Sequence, residues 1–385
     1  MMEAFEVTAP PANARLLARV FPSAAHEISA WWFGSRVLVF GTCLAAQASG
    51  LSRPGWRPGL LAHPFALLGL WDGRWYRIVA LNGYLLIPGR FSDPAFFPLL
   101  PVLERLAGRV GLSPVVAAVV VANAGFLAGL LAVYALSREF LPEPTARRTA
   151  IYLAVFPLSF VFSMAYPEGV VLPLVALTGL LAVRNRWLSA AFCAALATLG
   201  RPEAIVLTIP IAALALRRWH ALPSAARPRA AAAMLAPAAA LASFCAYLWR
   251  VTGDPLAWAH AERAWGRTFS LNGPREAITA LATALPHHNP WLFRDAAFCL
   301  IDLALLVVAA RSSVPRAWAA AGVAIILMPL ATGSFTSDAR FGLLALPVFW
   351  GLAELGRRRW VHRTLLVCSP LLLAAGVFSI PMHFP

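Results

Sequence analysis

The sequence contains no lysine and few charged residues of any kind. Of its 385 residues, 13% are charged and 60% are apolar, whereas a soluble globular domain carries about 25% charged residues. This composition excludes an ordinary soluble globule and indicates a membrane protein. Because every basic residue is arginine and alanine is abundant, GC-rich coding and a bacterial source are expected.

Several motifs for metal, redox or nucleotide chemistry are also missing. The chain has no Cys-x-x-Cys pair, no GxxxxGK phosphate loop and no Asp-x-Asp pair. These absences argue against a zinc site, a bound nucleotide and a metal-dependent nucleotide sugar, so neither a metal nor a cofactor is expected. The cysteines stand singly in apolar runs, where they are expected to be small packing residues: Cys43, Cys193, Cys245, Cys299 and Cys368.

The formal net charge of +15 would suggest a nucleic-acid partner for a soluble domain. Here, however, the arginines fall largely in short loops between apolar runs, which is the positive-inside pattern of membrane proteins. We therefore expect a lipid bilayer around the chain and no nucleic-acid partner.

Apolar runs of a length suited to membrane helices recur along the whole chain. A hydrocarbon core of about 30 Å requires roughly 17 to 25 apolar residues per helix. By this measure the sequence predicts an all-α polytopic membrane protein with about eleven transmembrane helices, near 29–48, 113–136, 149–164, 167–183, 187–200, 203–217, 230–250, 295–310, 317–333, 341–355 and 364–381.

The alternation of arginine clusters predicts the topology. Clusters such as Arg147–Arg148, Arg217–Arg218 and Arg357–Arg359 all fall on one side, which the positive-inside rule makes the cytoplasm. Residues 1–28 are then a cytoplasmic N-terminal segment, and residues 29–385 form a single transmembrane domain. The opposite, outer face carries two large loops, 50–112 and 252–294, in a multi-pass protein of the plasma membrane.

The stretch "WDGRWYRIVALNGY" in the first large loop keeps a carboxylate among aromatic residues. A short amphipathic helix is predicted from Asp72 to about Asn82, with Asn82-Gly83 as its stop signal. Such a helix suits the membrane surface. From the residues alone, Asp72 is either a helix N-cap or a functional carboxylate at the boundary between water and lipid.

This stretch, followed by "FFPLLPVLERLAG", resembles the first outer loop of the PIG-V type mannosyltransferases, which belong to the GT-C superfamily of membrane glycosyltransferases. Residues 164–207, from "MAYPEG" to "LGRPEAIVL", are similar to the central stretch of that family. The segment "SDARFGLLALPVFW" resembles its C-terminal Arg-Tyr region, although Phe341 replaces the tyrosine. The resemblance implies a GT-C-like helical bundle.

It also implies a function: transfer of mannose from a polyprenyl-phosphate mannose donor to a hydroxyl of a glycolipid or glycan acceptor on the outer face. Asp72 occupies the position of the catalytic base in this resemblance. A base is required because the acceptor hydroxyl loses a proton as it attacks. The leaving phosphate gains negative charge, so arginine donors are expected nearby. The expected substrate-binding residues are Trp71, Arg74, Trp75, Tyr76, Glu168, Arg201 and Arg340.

Structural roles remain open for several of these residues. Arg201 pairs with Glu203 or Glu168, or it binds the donor phosphate, and Arg340 pairs with Asp338 or binds the same group. Glu168 binds the acceptor or supports the site. Arg74 and Arg77 lie on the surface, where they can touch lipid phosphate, or they act in catalysis, and His287 and His288 are solvated loop residues or bind the acceptor. Asp302 is a functional candidate or a capping or arginine-pairing residue.

Two other classes of protein also fit an apolar, polytopic chain. A lipid or small-solute transporter or flippase normally has coupling carboxylates near the midplane and paired broken helices. The sequence shows one such carboxylate, Asp302, and no twofold pattern. A non-catalytic scaffold would not require an acidic and aromatic interfacial helix.

Overall fold

The computed structural model describes residues 12–49, 63, 65–284 and 290–382, with side chains from residue 23 onward. Within those ranges every regular element is helical, in agreement with the all-α prediction. The α-helices, with short 3₁₀ turns between some of them, are α1 (Ala12–Ala48), α2 (Asp72–Asn82), α3 (Leu99–Gly108), α4 (Pro114–Ser137), α5 (Glu143–Val155), α6 (Glu168–Val183), α7 (Trp187–Gly200), α8 (Thr208–Arg218), α9 (Arg227–Thr252), α10 (Ala257–Glu262), α11 (Gly273–Ala284), α12 (Pro290–Ala310), α13 (Arg316–Leu327), α14 (Asp338–Phe341), α15 (Leu346–Leu355) and α16 (Arg359–Ser379).

In the described residues, four helical stretches are long and apolar enough to cross a membrane. They are Ser23–Ala48, Pro114–Ser137, Ser224–Thr252 and Arg359–Ser379. Helices α6, α7 and α15 are apolar but shorter, as is the stretch Arg316–Thr332. The structure therefore fits a helical membrane protein, while the count of about eleven spans stays a prediction.

Helix α6 packs against both α4 and α7. The contact between α4 and α6 depends on small residues, since a Cβ atom on Gly169 would lie 2.4 Å from the carbonyl oxygen of Ala122. Only glycine permits this approach of two backbones. It brings the first turn of α6, and with it Glu168, against the centre of the bundle.

The helix predicted over 149–164 is broken in the structure. Helix α5 ends at Val155, and a 3₁₀ turn follows over Ser159–Ser163. The buried guanidinium of Arg36 in α1 donates hydrogen bonds to the carbonyl oxygen of Ser159 (2.9 Å) and to the hydroxyl of Ser163 (2.8 Å). Pro157 cannot donate a backbone hydrogen bond, and Arg36 satisfies groups that the break leaves free.

Two smaller expectations also differ from the structure. Helix α1 begins at Ala12, well before the apolar run that predicted a start at residue 29. All five cysteines are free; Cys43, Cys193 and Cys299 are buried as packing residues, whereas Cys368 is exposed on α16. In a membrane-spanning helix, an exposed face is the one available to lipid.

Candidate active site

A cavity of about 1110 Å³ opens at one end of the bundle, where the first turn of α2 faces α10 and α14. Seven of the residues predicted for the site line this cavity: Trp71, Asp72, Arg74, Trp75, Tyr76, Arg201 and Arg340. The eighth, Glu168, is fully buried behind the cavity wall. The fold thus brings residues from widely separated parts of the sequence to one place.

Helix α2 spans Asp72–Asn82, so its predicted bounds are confirmed. Gly83 ends the helix with φ of 80°, a conformation that favours glycine. The hypothesis that Asp72 is the N-cap is wrong, because the N-cap position belongs to Trp71 and Asp72 is the first helical residue. The carboxylate of Asp72 is therefore free to interact elsewhere.

Trp71 adopts a strained backbone conformation directly before Asp72. Its φ is 57° and its ψ is −120°, which a residue with a Cβ atom rarely adopts. The indole Nε1–H donates a 2.9 Å hydrogen bond to the carbonyl oxygen of Ile380, just after α16. Trp71 lines the cavity, but its polar atom serves to hold the chain in place.

The carboxylate of Asp72 accepts a 2.6 Å hydrogen bond from Nη1 of Arg340. Arg340 is buried, and its guanidinium lies over the ring of Tyr166 at 5.1 Å from the centroid. The Tyr166 hydroxyl in turn accepts a 3.3 Å hydrogen bond from the backbone N–H of Asp72. The alternative in which Arg340 pairs with Asp338 is wrong, because the guanidinium is bonded to Asp72 of α2.

Glu168 connects the two buried arginines. Its Oε1 is paired with Nη1 of Arg201 and lies 3.5 Å from Nε of Arg340. Its Oε2 accepts no hydrogen bond from the described residues. A buried charge is tolerated only when it is paired, so Glu168 makes the burial of both arginines possible.

Arg201 is also held by a second carboxylate. Its Nε and Nη2 donate hydrogen bonds of 3.1 Å each to the two oxygens of Glu203, which is the planar two-pronged arrangement that arginine favours. The sequence offered Glu203 or Glu168 as the partner, and the structure has both. Gly200 allows the turn to pack closely, since a Cβ there would lie 2.4 Å from Val171.

Positive charge predominates along the cavity wall. Five arginines line it, Arg74, Arg77, Arg201, Arg267 and Arg340, against the three carboxylates of Asp72, Glu203 and Glu262. Arg74 is exposed, whereas Arg201 and Arg340 are buried. Buried guanidinium groups act in a region of low dielectric, where their attraction for an anion is stronger than in water. The cavity can therefore bind an anionic group beside a carboxylate.

Among the lining residues that the sequence reasoning missed are Glu262, Trp265 and Arg267. They lie in α10 and the turn that follows it. Arg267 donates hydrogen bonds to the carbonyl oxygen of Thr336 (3.1 Å) and to the hydroxyl of Ser337 (3.4 Å). Arg267 therefore attaches the second large loop to the segment that carries Arg340. Because α10 is short, its sequence has no extended hydrophobic periodicity from which these residues could have been predicted.

Other predicted candidates lie away from this cavity or outside the described part. Asp302 is buried in α12 beside Gly342, and no arginine of the described residues pairs with it. His287 and His288 lie outside the described residues. Among the residues that the structure describes, no group of three or more His, Cys, Asp or Glu has an arrangement suited to a metal ion.

The fold and the cavity together fit a helical membrane protein with buried ion pairs at an open cavity. The chain is similar to the oligosaccharyltransferase AglB from the archaeon Archaeoglobus fulgidus in complex with an inhibitory peptide and a dolichol-phosphate, with TM-score 0.47, 13% identity, and coverage of 91% of this chain and 55% of that chain. It is also similar to the apo form of the A. fulgidus oligosaccharyltransferase, with TM-score 0.48, 13% identity, and coverage of 89% and 56%. The chain spans about half the length of these proteins. No family model and no curated protein matches the chain.

Proposed function

We propose that this protein is a membrane glycosyltransferase of the GT-C type, which transfers a mannosyl residue from polyprenyl-phosphate mannose to a hydroxyl of a glycolipid or glycan. In this proposal about eleven helices lie in a bacterial plasma membrane, and the cavity opens on the outer face. The arginine clusters of the sequence support this orientation, since they alternate with the two large loops.

One observation carries the proposal: the contact between Asp72 and Arg340 at the wall of a large cavity. A carboxylate suited to accept a proton lies beside a buried guanidinium suited to stabilise a phosphate. The resemblance of the sequence to the PIG-V type mannosyltransferases implied Asp72 as the base, and the charge of the leaving group predicted Arg201 or Arg340 at the donor phosphate. The two assignments came from distant segments, and they are mutually consistent in space.

The reaction needs both groups. The acceptor oxygen attacks the anomeric carbon of the donor, and the bond between that carbon and the phosphate oxygen breaks. The acceptor proton passes to the carboxylate of Asp72, and the phosphodiester leaves as a phosphomonoester with one more negative charge. Arg340, with Arg201 behind it, stabilises that charge. A positioned base contributes about 10²- to 10⁴-fold in rate.

A lipid-linked donor is supported by the apolar part of the cavity. Its lining includes Phe65, Leu70, Val115, Val116 and Pro381. Val115 lies against Gly69, which precedes Leu70 in the chain, and Trp71 binds the carbonyl group of Ile380, next to Pro381. An apolar surface beside buried arginines matches a hydrocarbon chain that ends in a phosphate.

The proposal is tested by transfer of labelled mannose from its polyprenyl phosphate to membrane acceptors, with purified protein in lipid. We expect wild-type protein to form a labelled glycolipid or glycan product. Asp72→Asn keeps the size of the side chain but cannot accept the proton, and its rate should fall by about 10²-fold or more. Equal rates for the two proteins would exclude Asp72 as the base. Movement of intact donor across vesicles without any product would support the transporter alternative instead.

A further inference from the structure

One wall of the cavity has no role in the donor chemistry described above. We call it the aromatic wall, and it consists of Trp75, Phe96, Glu262 and Trp265. Trp75 stacks on Phe96 with ring centroids 5.7 Å apart and planes inclined by 6°. Trp265 meets Trp75 edge-on, with centroids 5.7 Å apart and planes at 80°. The three rings form one connected surface, of which Trp265 remains 38% exposed.

Glu262 is the charged group of this wall. Its side chain is 30% exposed, and Oε2 lies 3.8 Å from Nη1 of Arg267, too far for a hydrogen bond. Burial raises the pKa of Glu262, Arg267 opposes the rise, and the carboxylates of Asp72 and Glu203 add to it. Asp72 and Glu262 both line this cavity, so the two carboxylates share its space.

The aromatic wall lies close to Asp72, the predicted base. Trp75 follows Asp72 by three residues in α2, and residues three apart lie on the same face of a helix. Arg267, next to the wall, is bonded to the carbonyl oxygen of Thr336 in the segment before Arg340. A molecule that packs on Trp75 and Trp265 is therefore held beside both Asp72 and Arg340.

We propose that the aromatic wall is the acceptor subsite and that it binds a pyranose ring. The C–H bonds on one face of a pyranose are attracted to the negatively polarised face of an indole. The hydroxyls around the ring are donors for a carboxylate such as Glu262. This inference rests on the proposed function and places the sugar ring of its acceptor on the aromatic wall, with Trp265 as the stacking residue and Glu262 as the hydroxyl-binding residue.

The kinetic test compares the rates of transfer to two acceptor probes at a fixed concentration of polyprenyl-phosphate mannose. Methyl α-mannopyranoside serves as the pyranose probe, and N-acetylserine amide serves as a hydroxyl compound without a sugar ring. Wild-type protein should use the pyranoside in preference to the serine derivative. Trp265→Ala and Glu262→Gln should each raise KM for the pyranoside about tenfold, with an unchanged KM for the donor.

Two matched variants control for general damage. Trp360→Ala removes an exposed tryptophan of α16, and Glu276→Gln neutralises an exposed carboxylate of α11, both outside the cavity. Both should behave as wild type. An unchanged acceptor KM in Trp265→Ala and Glu262→Gln, or equal use of the two probes, would overturn the subsite while leaving the transferase proposal intact.

Binding of the pyranoside is measured separately from transfer, so that a failure of the proposed function can be distinguished from a failure of the proposed subsite. Saturation-transfer NMR with methyl α-mannopyranoside and wild-type protein in lipid nanodiscs should show binding, which Trp265→Ala should weaken about tenfold. Binding by wild type without any transfer would support the subsite and contradict the proposed function. Absence of binding, or equal binding by the variant, would overturn the subsite.

Discussion

Nη1 of Arg340 donates a 2.6 Å hydrogen bond to Oδ2 of Asp72, although the two residues are 268 positions apart in the sequence. The contact joins the first turn of α2 to α14 across the wall of the cavity. Each group fixes the position of the other, so the carboxylate and the guanidinium are already oriented before any ligand enters. Oriented groups lose less freedom when a reaction begins.

Replacing Arg340 with lysine should distinguish the contribution of its positive charge from that of its planar guanidinium. Lysine keeps the positive charge but lacks the planar fork, so it cannot contact Asp72 and the donor phosphate together. In Arg340→Lys we expect the rate of mannosyl transfer to fall about 10²-fold, with a normal yield of folded protein. The measurement is kcat with labelled donor for equal amounts of protein.

Arg201→Lys tests the second buried arginine, which is paired with both Glu168 and Glu203. It should lose the two-pronged contact with Glu203 and lower the thermal unfolding temperature as well as the rate. Near-normal rates in both lysine variants would assign both arginines to structural ion pairs.

Glu168→Ala should be strongly destabilising. The carboxylate is fully buried and shared by Arg201 and Arg340, so its removal leaves buried charge with less compensation. The expected cost is about 3–5 kcal/mol. Thermal unfolding of the purified protein in detergent measures it. Glu139→Ala is the control, because Glu139 forms a more exposed pair with Arg184 that is worth about 0–1 kcal/mol. Equal unfolding temperatures for the two variants would contradict this role of Glu168.

Glu104 predicts a specific pH dependence of stability. Its side chain is buried in α3, and both its oxygens lack hydrogen-bond partners among the described residues. Burial raises its pKa from 4.5 to about 8, against the opposing charge of Arg77. Since the folded protein holds the proton more tightly, this residue's contribution to stability is complete below about pH 4.5 and is lost as pH rises through about 8.

Glu104→Gln removes that titration. The variant and the wild type should unfold at similar temperatures at about pH 5, and the variant should be more stable at about pH 8.5, by at least about 2 °C. Glu276→Gln, at an exposed position, should leave the wild-type pH profile unchanged. The same pH profile in Glu104→Gln and wild type would contradict the assignment.

The predicted topology is tested by reporter fusions after Arg229 and after Gly273. Arg229 is in the first turn of α9, and the rest of this helix, part of the candidate span Ser224–Thr252, lies between the two positions. The two fusions should therefore report opposite sides of the membrane, with Arg229 in the cytoplasm. Reporters on the same side would overturn the proposed arrangement of the loops.

Local signals in the sequence were sufficient to predict the bounds of α2. Its start at Asp72 and its stop at Asn82-Gly83 depend on residues within the helix itself, and the structure has the same bounds. The break after Val155 was not predictable in the same way. It involves Arg36, whose hydrogen bonds reach Ser159 across 123 residues of sequence.

The ion-pair partners within the candidate site were also not predictable from local sequence. As an ion-pair partner for Arg340 the sequence reasoning considered only Asp338, the nearest carboxylate along the chain, whereas the observed partner comes from α2. Glu262 and Trp265 were missed because α10 is only six residues long, too short to show a periodic pattern. Seven residues predicted from the residue pattern and the family resemblance line the cavity, but only the fold determines which of them meet.

The hydrogen bond between the indole of Trp71 and the carbonyl of Ile380 spans 309 residues of sequence. During synthesis, the segment with Asp72 leaves the ribosome long before α14 and α16 exist. Until those late helices insert, the strained conformation of Trp71 has no partner at Ile380 to hold it, and the carboxylate has no guanidinium beside it. A half-made chain in the membrane therefore lacks the assembled candidate site, which forms only after α14 and α16 have been made and inserted.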